Sequence, residues 1–294
     1  MAGKSSKNFL NKESTFKTGA VWSLSEMAVW RLLKFETYNA YMNMAIDEAV
    51  LEARIRGLAP NTVRFYRWNP SAVSIGRFQR VENEVYLENC QRYGVDVVRR
   101  ITGGGTVYHD AEGEITYSIV ASKEDLGAKD ITEVYAKIYA GIVEALKILG
   151  LKADFNEGDA RACPNLTISG RKISGSAQCH KSDVVLQHGT ILVDVNLGKM
   201  FTFLRVPWAK TCMEVVGIAK NKITSIRAEL GKEISHTAVL EALVEGFQKA
   251  LKTRLEKSDL TAHERELAEK LCKEKYATAE WNLHGRESCQ SIKP

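Results

Sequence analysis

Apolar residues recur along the chain at two periods, and the switches between them lay out the elements. Trp30 to Glu36 is apolar enough for a strand. From Asn39 to Arg56, Met42, Ala45, Ile46, Ala49, Val50 and Ala53 keep helical spacing, and Gly57 supplies the stop. Thr62 to Trp68 and Ala72 to Ile75 read as strands parted by the Asn69-Pro70 turn. A short helix is expected from Tyr86 to Tyr93, ended by Gly94. The β-branched run Val95 to Ile101 then enters Gly103, Gly104 and Gly105, with further strands at Thr106 to His109 and Ile115 to Ala121.

Asp130 to Leu149 carries the strongest helical pattern, with an apolar face from Ile131 to Leu149 and Gly150 as its stop. Asp130 and Glu133 are placed for a capping box, as are Thr261 and Glu264. Strands follow at Leu166 to Ile168, Arg171 to Gln178 and Val184 to Asp194, the first two joined by a Ser169-Gly170 hairpin turn. Beyond Asn196 the spacing predicts helices near Met200 to Arg205, Thr237 to Leu251 and Thr261 to Lys275, and a short strand near Ile223 to Ile226. Strands joined by turns and flanked by a few long helices imply an α+β fold with a mixed or antiparallel sheet. The expected organisation is a flexible tail over 1–28, a catalytic domain over 29–220 and a small accessory domain over 221–294.

Composition narrows the function classes. The 294 residues are 26% charged and 45% hydrophobic with 5 Pro, which excludes disorder or a collagen-like chain for the bulk. The net charge of +5 owes much to Lys4, Lys7, Lys12 and Lys17, so no nucleic-acid partner is expected. No window approaches a membrane span, and none of the six cysteines forms a CxxC pair. The opening residues lack the apolar stretch of a secretory signal, so a cytoplasmic protein without a membrane partner is expected.

Four segments carry candidate chemistry. In Arg99-Arg100-Ile101-Thr102-Gly103-Gly104-Gly105-Thr106-Val107-Tyr108-His109-Asp110, the glycines expose backbone N–H groups that can wrap an anion, and the arginines supply charge. Alone, such a triplet is a hairpin, and it matches neither a Walker loop nor GxGxxG. In Gly170-Arg171-Lys172-Ile173-Ser174-Gly175-Ser176-Ala177-Gln178, alternation places Lys172 and Ser174 on one face, and the small residues let a ligand lie on the backbone. In Gln187-His188-Gly189-Thr190, His188 reads first as a hydrogen-bonded core residue that helps shape a pocket. Asn43 and Asp47, four apart on the first long helix, read as helix-to-sheet packing with no catalytic role.

These blocks, in this order and with Arg64-Phe65-Tyr66-Arg67-Trp68 and Ser74-Ile75-Gly76-Arg77-Phe78-Gln79 before them, resemble lipoate–protein ligase A and its relatives. That family shares its fold with biotin protein ligases and octanoyltransferases. The resemblance covers roughly residues 31 to 283, and the end, Lys275 to Asn282, is similar to the ligase accessory domain. It implies ATP-dependent activation of lipoate or octanoate to an acyl-AMP, followed by transfer to a lysine of a lipoyl-domain protein. The acceptor would be a glycine-cleavage H protein, a dehydrogenase acyltransferase subunit or a specialised carrier. ATP with Mg²⁺ would be substrate and activator, lipoate the acyl substrate, with no tightly bound cofactor and with the metal ligands unassigned. By position, Lys172 would be the catalytic residue. Arg100, Thr102, Gly103, Gly104, Gly105, Thr106, Val107, Tyr108, Asn165, His188, Gly189 and Thr190 would join it around the nucleotide.

Two features depart from the ligase pattern. Asn165 stands where a carboxylate is usual, and cysteines lie close to the Lys172 strand. The rival enzyme is an octanoyltransferase, which moves an acyl group from acyl carrier protein through a cysteine thioester without ATP. Its nucleophile would be Cys163, Cys179 or Cys212. Gly105 favours the ligase, since one transferase class resembles Gly-Gly-Arg there. The ligase reading predicts that Ser at all three cysteines leaves activity within about tenfold.

Overall fold

The computed structural model describes residues 27–158, 163–209 and 211–285. The tail expected over 1–28 therefore lies almost wholly outside the described residues, as does Cys289. The first half runs β1 (Ala28–Leu33), β2 (Glu36–Tyr38), α1 (Ala40–Ile55), β3 (Thr62–Trp68), β4 (Ala72–Ile75), α2 (Val81–Glu84) and α3 (Leu87–Arg92). It continues with β5 (Asp96–Arg99), β6 (Val107–His109), β7 (Glu114–Ser122), α4 (Lys123–Leu126) and α5 (Ile131–Ile148). The second half contains β8 (Asp154–Asn156), β9 (Asn165–Ile168), β10 (Arg171–Lys181), β11 (Val184–Leu192), α6 (Leu197–Phe203), α7 (Cys212–Ala219) and α8 (Ile226–Leu230). It ends with α9 (His236–Leu251), β12 (Thr253–Ser258), α10 (Ala262–Leu271), a π-turn (Cys272–Tyr276) and α11 (Ala279–His284).

The fold is α+β with a mixed sheet, as expected. The large sheet has the order β12-β1-β3-β7-β11-β10-β9-β8, with β2 beside β3. β12, β1 and β3 are parallel, whereas β3, β7, β11, β10, β9 and β8 pair antiparallel. A small sheet, β5-β4-β6, stands apart. One face of the large sheet packs on α5 and α9, the other on α1 and α10. α5 and α9 approach closely because Gly141 and Gly246 face each other's helix. A Cβ on Gly246 would stand 2.5 Å from the Gly141 carbonyl oxygen.

Local signals place several elements where the pattern puts them. Asn39 caps α1, and Asp130 caps α5 by accepting from the Glu133 N–H at 2.8 Å. The α5 box is only half made, because the Glu133 carboxylate accepts from Lys129, one residue before the cap. The Thr261–Glu264 box is complete. Ser169 and Gly170 both take positive φ, as a two-residue hairpin with a type I′ turn needs.

Two expectations give way. β5 and β6 do not pair with each other but flank β4, so the glycine segment crosses over the end of β4 instead of closing a hairpin. Gly76 makes room for it, since a Cβ there would meet the Gly104 carbonyl. The strand near Ile223 shrinks to one bridge with Lys172, and α8 begins at Ile226. The residues from 221 onward place β12 in the large sheet, against β1. Glu264 of α10 accepts two bonds from the buried Arg31 of β1, at 2.5 and 2.7 Å. Burial works to raise the Glu264 pKa, but the Arg31 bonds outweigh it and lower it. The strand pairing of β12 and the buried ion pair of α10 both reach back to the first strand.

Candidate active site

A cavity of about 540 Å³ opens between the middle of the large sheet, the small sheet and the segment after Asn196. Strands β10 and β11 supply Lys172, Gly175, Ser176, Ala177, His188, Gly189 and Thr190. The crossing loop and β6 supply Gly104, Gly105, Thr106, Val107 and Tyr108. Met200, Phe201, Leu204, Val206, Pro207 and Trp208 make an apolar wall. Of the residues expected around the nucleotide, Thr102, Gly103 and Asn165 do not line the cavity. Thr102 is buried beneath it, and Asn165 Nδ2 donates to the Cys163 carbonyl at 3.3 Å.

Lys172 is positioned by its backbone. Its N–H donates to the Lys222 carbonyl at 2.8 Å, and its own carbonyl accepts from Thr224 at 2.9 Å. A bulge follows, where the register with β9 shifts between Lys172 and Ser174. Simple alternation therefore fails: Ser174 is buried, and it is Gly175 that lies under the lysine. Solvent reaches Lys172 through the cavity mouth, but protein surrounds it closely. The resulting desolvation lowers its pKa, with Cys163 acting in the opposite sense.

Arg100 does not project into the cavity as a free cation. Its five N–H groups meet Thr102 Oγ1, the Ser74 carbonyl, Ser74 Oγ and the Gly103 and Gly105 carbonyls, at 2.8–3.2 Å. Burial draws its pKa down to about 10. Arg99 is likewise committed to carbonyls of Gly76, Arg77, Gln79, Trp281, Asn282 and Leu283. Arg100 braces the glycine loop from behind, whereas Arg99 ties the 76–79 turn to α11.

From Arg100 two matching relays run outward. One passes through Thr102 Oγ1 to His188 Nε2 (2.8 Å), and from His188 Nδ1 to Asp47 (3.0 Å). The other passes through Ser74 Oγ to His109 Nε2 (2.7 Å), and from His109 Nδ1 to Glu114 (2.7 Å). Since Arg100 donates to each hydroxyl, each hydroxyl is assigned as donor to its imidazole, which in turn donates to its carboxylate. Burial lowers the His188 pKa, although Asp47 favours the charged ring. Burial works to raise the Asp47 pKa, but His188 and Arg64 hold it below the ordinary value. The spacing of Asn43 and Asp47, four apart on one face of α1, predicts packing alone for both. Asn43 does bind backbone carbonyls of Tyr38 and Arg67, whereas Asp47 anchors the cavity floor.

Among the described cysteines, Cys163 alone lines the cavity. It is exposed, and the next residue, Pro164, has its carbonyl held by Tyr139 Oη at 3.0 Å. Tyr139 Oη also accepts from Ser176 Oγ at 2.7 Å. Burial pushes the Cys90 thiol up to about 11 and also raises those of Cys179 and Cys272. Cys212 is exposed at the start of α7, outside the cavity. No three His, Cys, Asp or Glu side chains cluster as metal ligands among the described residues.

This fold and this strand-borne lysine define the class: the chain belongs to the family of the lipoyl protein ligase A/B catalytic domain, whose model matches residues 39–248. Within it, the chain is 37% identical over 276 residues to octanoyltransferase LipM of Brevibacillus brevis, spanning 87% of this chain and 99% of that protein. It is 41% identical over 274 residues to octanoyltransferase LipM of Kyrpidia tusciae, spanning 87% and 99%. Among solved structures, the bipartite lipoate protein ligase of Thermoplasma acidophilum superposes with a TM-score of 0.79 at 30% identity, covering 90% of this chain and 100% of that one.

The relatives overturn the ATP-dependent reading. Proteins 35–41% identical to this chain, over nearly their full lengths, are octanoyltransferases. ATP, Mg²⁺ and an acyl-AMP intermediate are therefore withdrawn as substrate, activator and intermediate. A shared fold does not set the chemistry.

Proposed function

We propose that this protein is an octanoyltransferase. It takes the octanoyl group of acyl carrier protein onto Cys163 and passes it to a lysine of a lipoyl-domain protein. What carries this reading is the placement of Cys163 and Lys172 on the same cavity, opposite an apolar wall suited to an eight-carbon chain. Its volume suits a small acyl ligand, since such sites run from roughly 300 to 1,000 Å³.

In the first half-reaction the Cys163 thiolate attacks the donor thioester. The C–S bond to the donor breaks, the donor thiol leaves with a proton, and octanoyl-Cys163 remains. Lys172 as ammonium offsets the charge on the tetrahedral oxygen. Its lowered pKa eases the passing of a proton to the departing sulfur. In the second half-reaction an acceptor amine forms the amide and Cys163 is released as thiol. A thioester is already activated, so the sequence runs without ATP. No helix among the described residues is long and apolar enough to cross a membrane. The proposed setting is the cytoplasm, where carrier and acceptor proteins meet.

The test is to incubate the full chain with octanoyl-loaded carrier protein and a lipoyl domain, without ATP. Octanoylation of the domain and an acyl adduct mapped to Cys163 are expected, and Cys163→Ser is expected to lose both. In place of three dispensable cysteines, Cys179→Ser and Cys212→Ser are expected to retain activity and Cys163→Ser to lose it. A strict ATP requirement, or full activity in Cys163→Ser, would sink the proposal.

A further inference from the structure

The cavity wall carries one acidic side chain among the described residues, and neither half-reaction as written above uses it. Glu84 ends α2 and lines the same cavity as Cys163 and Lys172. Its Oε2 accepts from Thr106 Oγ1 at 3.2 Å, and its main-chain carbonyl accepts from the Arg205 N–H at 2.8 Å. Thr106 is shared, since the same hydroxyl stands 3.1 Å from Gln79 Oε1. No Lys, Arg or His among the described residues forms an ion pair with Glu84, although Arg205 lines the same wall. The Arg205 guanidinium instead lies over the Tyr86 ring and donates through Nε to the Val85 carbonyl.

The two halves of the reaction place opposite demands on this cavity. The octanoyl thioester brings no charge at its reacting end. The acceptor lysine arrives as an ammonium, because its ordinary pKa is about 10.4. Lys172 repels that cation, and Arg100, committed to the glycine loop, offers it no acceptor. A carboxylate on the same cavity wall is the group that can draw it in.

We propose that Glu84 is the specificity residue that receives the acceptor lysine's ammonium group and holds it beside octanoyl-Cys163. The inference rests on the function proposed above. Glu84 acts in binding and not as the base. The captured ammonium loses its proton to solvent, the neutral nitrogen attacks the thioester carbon, the C–S bond breaks, and Cys163 leaves as thiol. The net change is ammonium plus thioester to amide, thiol and one released proton.

The experiment separates the half-reactions in the full-length protein. Glu84→Gln keeps the shape and an acceptor for Thr106. The octanoyl carrier protein is expected to load Cys163 in this variant at a rate within about twofold of the parent. The KM for the lipoyl domain is expected to rise at least tenfold, with kcat changed far less. Hydroxylamine, uncharged at pH 7, is expected to discharge octanoyl-Cys163 equally fast in both proteins. Glu84→Asp, which keeps the charge, is expected to recover part of the lost affinity. An unchanged KM for the domain, or loading and hydroxylamine discharge that fall in step with transfer, would overturn the assignment. Absence of octanoyl-Cys163 in the parent would instead overturn the function proposed above, and this inference with it.

Discussion

Lys172 lies directly over Gly175: a Cβ on that glycine would stand 2.6 Å from both Cε and Nζ of the lysine. The small residue two positions past the bulge is thus the seat of the lysine head group. Gly175→Ala must move the lysine, and the atoms in the way are the far end of a flexible side chain. The variant is expected to keep its melting temperature within a few degrees while kcat falls about tenfold or more, since small misplacements of reacting groups are costly. Gly189→Ala provides the contrast. Its Cβ would meet the Gly175 carbonyl at 2.5 Å and Ser176 Cβ at 2.7 Å, which cannot swing aside. That variant is expected to lose about 1–3 kcal/mol of stability in urea unfolding. Equal destabilisation of the two variants would show that the seat is ordinary packing.

Removing the ammonium itself is the more severe change. Lys172→Ala is expected to slow octanoyl transfer on the order of 10²-fold or more, with the fold intact, because Lys222 and Thr224 hold the main chain and not the side chain. Lys172→Arg is not expected to restore activity, since a planar fork does not replace a point charge above Gly175. Full activity in the Arg variant would assign the chemistry to another group.

Tyr139 offers a test of how the cysteine segment is held. Tyr139→Phe removes the bond to the Pro164 carbonyl and leaves Ser176 Oγ without its acceptor. The stability cost is expected to be about 1–2 kcal/mol. The rate of Cys163 acylation is expected to fall roughly tenfold at saturating donor. Loss of stability with an unchanged acylation rate would confine Tyr139 to packing.

The buried imidazole predicts a pH dependence of stability. Burial lowers the His188 pKa below its unfolded value of 6.5. Between the folded value and 6.5 the unfolded chain binds more protons, so stability rises with pH across that window and falls as pH drops below 6.5. His180 and His236 are shifted in the same direction. Urea unfolding at pH 7.5 and 5.5 is therefore expected to show a stability difference that shrinks, without vanishing, in His188→Gln. A difference of the same size in the variant would place the titration elsewhere.

Much of the architecture was legible because its signals are local. The cap and apolar face of α5, the Ser169-Gly170 turn and the β-branched runs of β3 and β4 each act over a few residues. β12 was not legible: Thr-Arg-Leu-Glu-Lys-Ser has no apolar alternation, and it is a strand because β1, more than two hundred residues earlier in the chain, offers it a parallel edge. The alternation that paired Lys172 with Ser174 failed at a bulge that depends on β9 and on the segment 222–224.

By itself, the order of the motifs determined the family and the α+β class, and it singled out Lys172 as the candidate reacting residue, because those depend on residue identity and spacing. Tertiary structure decided what the neighbouring groups do. Arg100 looked like an anion ligand by composition, but its burial beside five acceptors makes it a brace. Cys163 was one of three equivalent thiols in the linear chain, and only the folding of β9 and β10 around the cavity sets it apart from Cys179 and Cys212. The physical reason is range. Backbone preferences act within a turn or a strand, whereas charge, desolvation and the meeting of two reactive groups depend on every segment that closes around them.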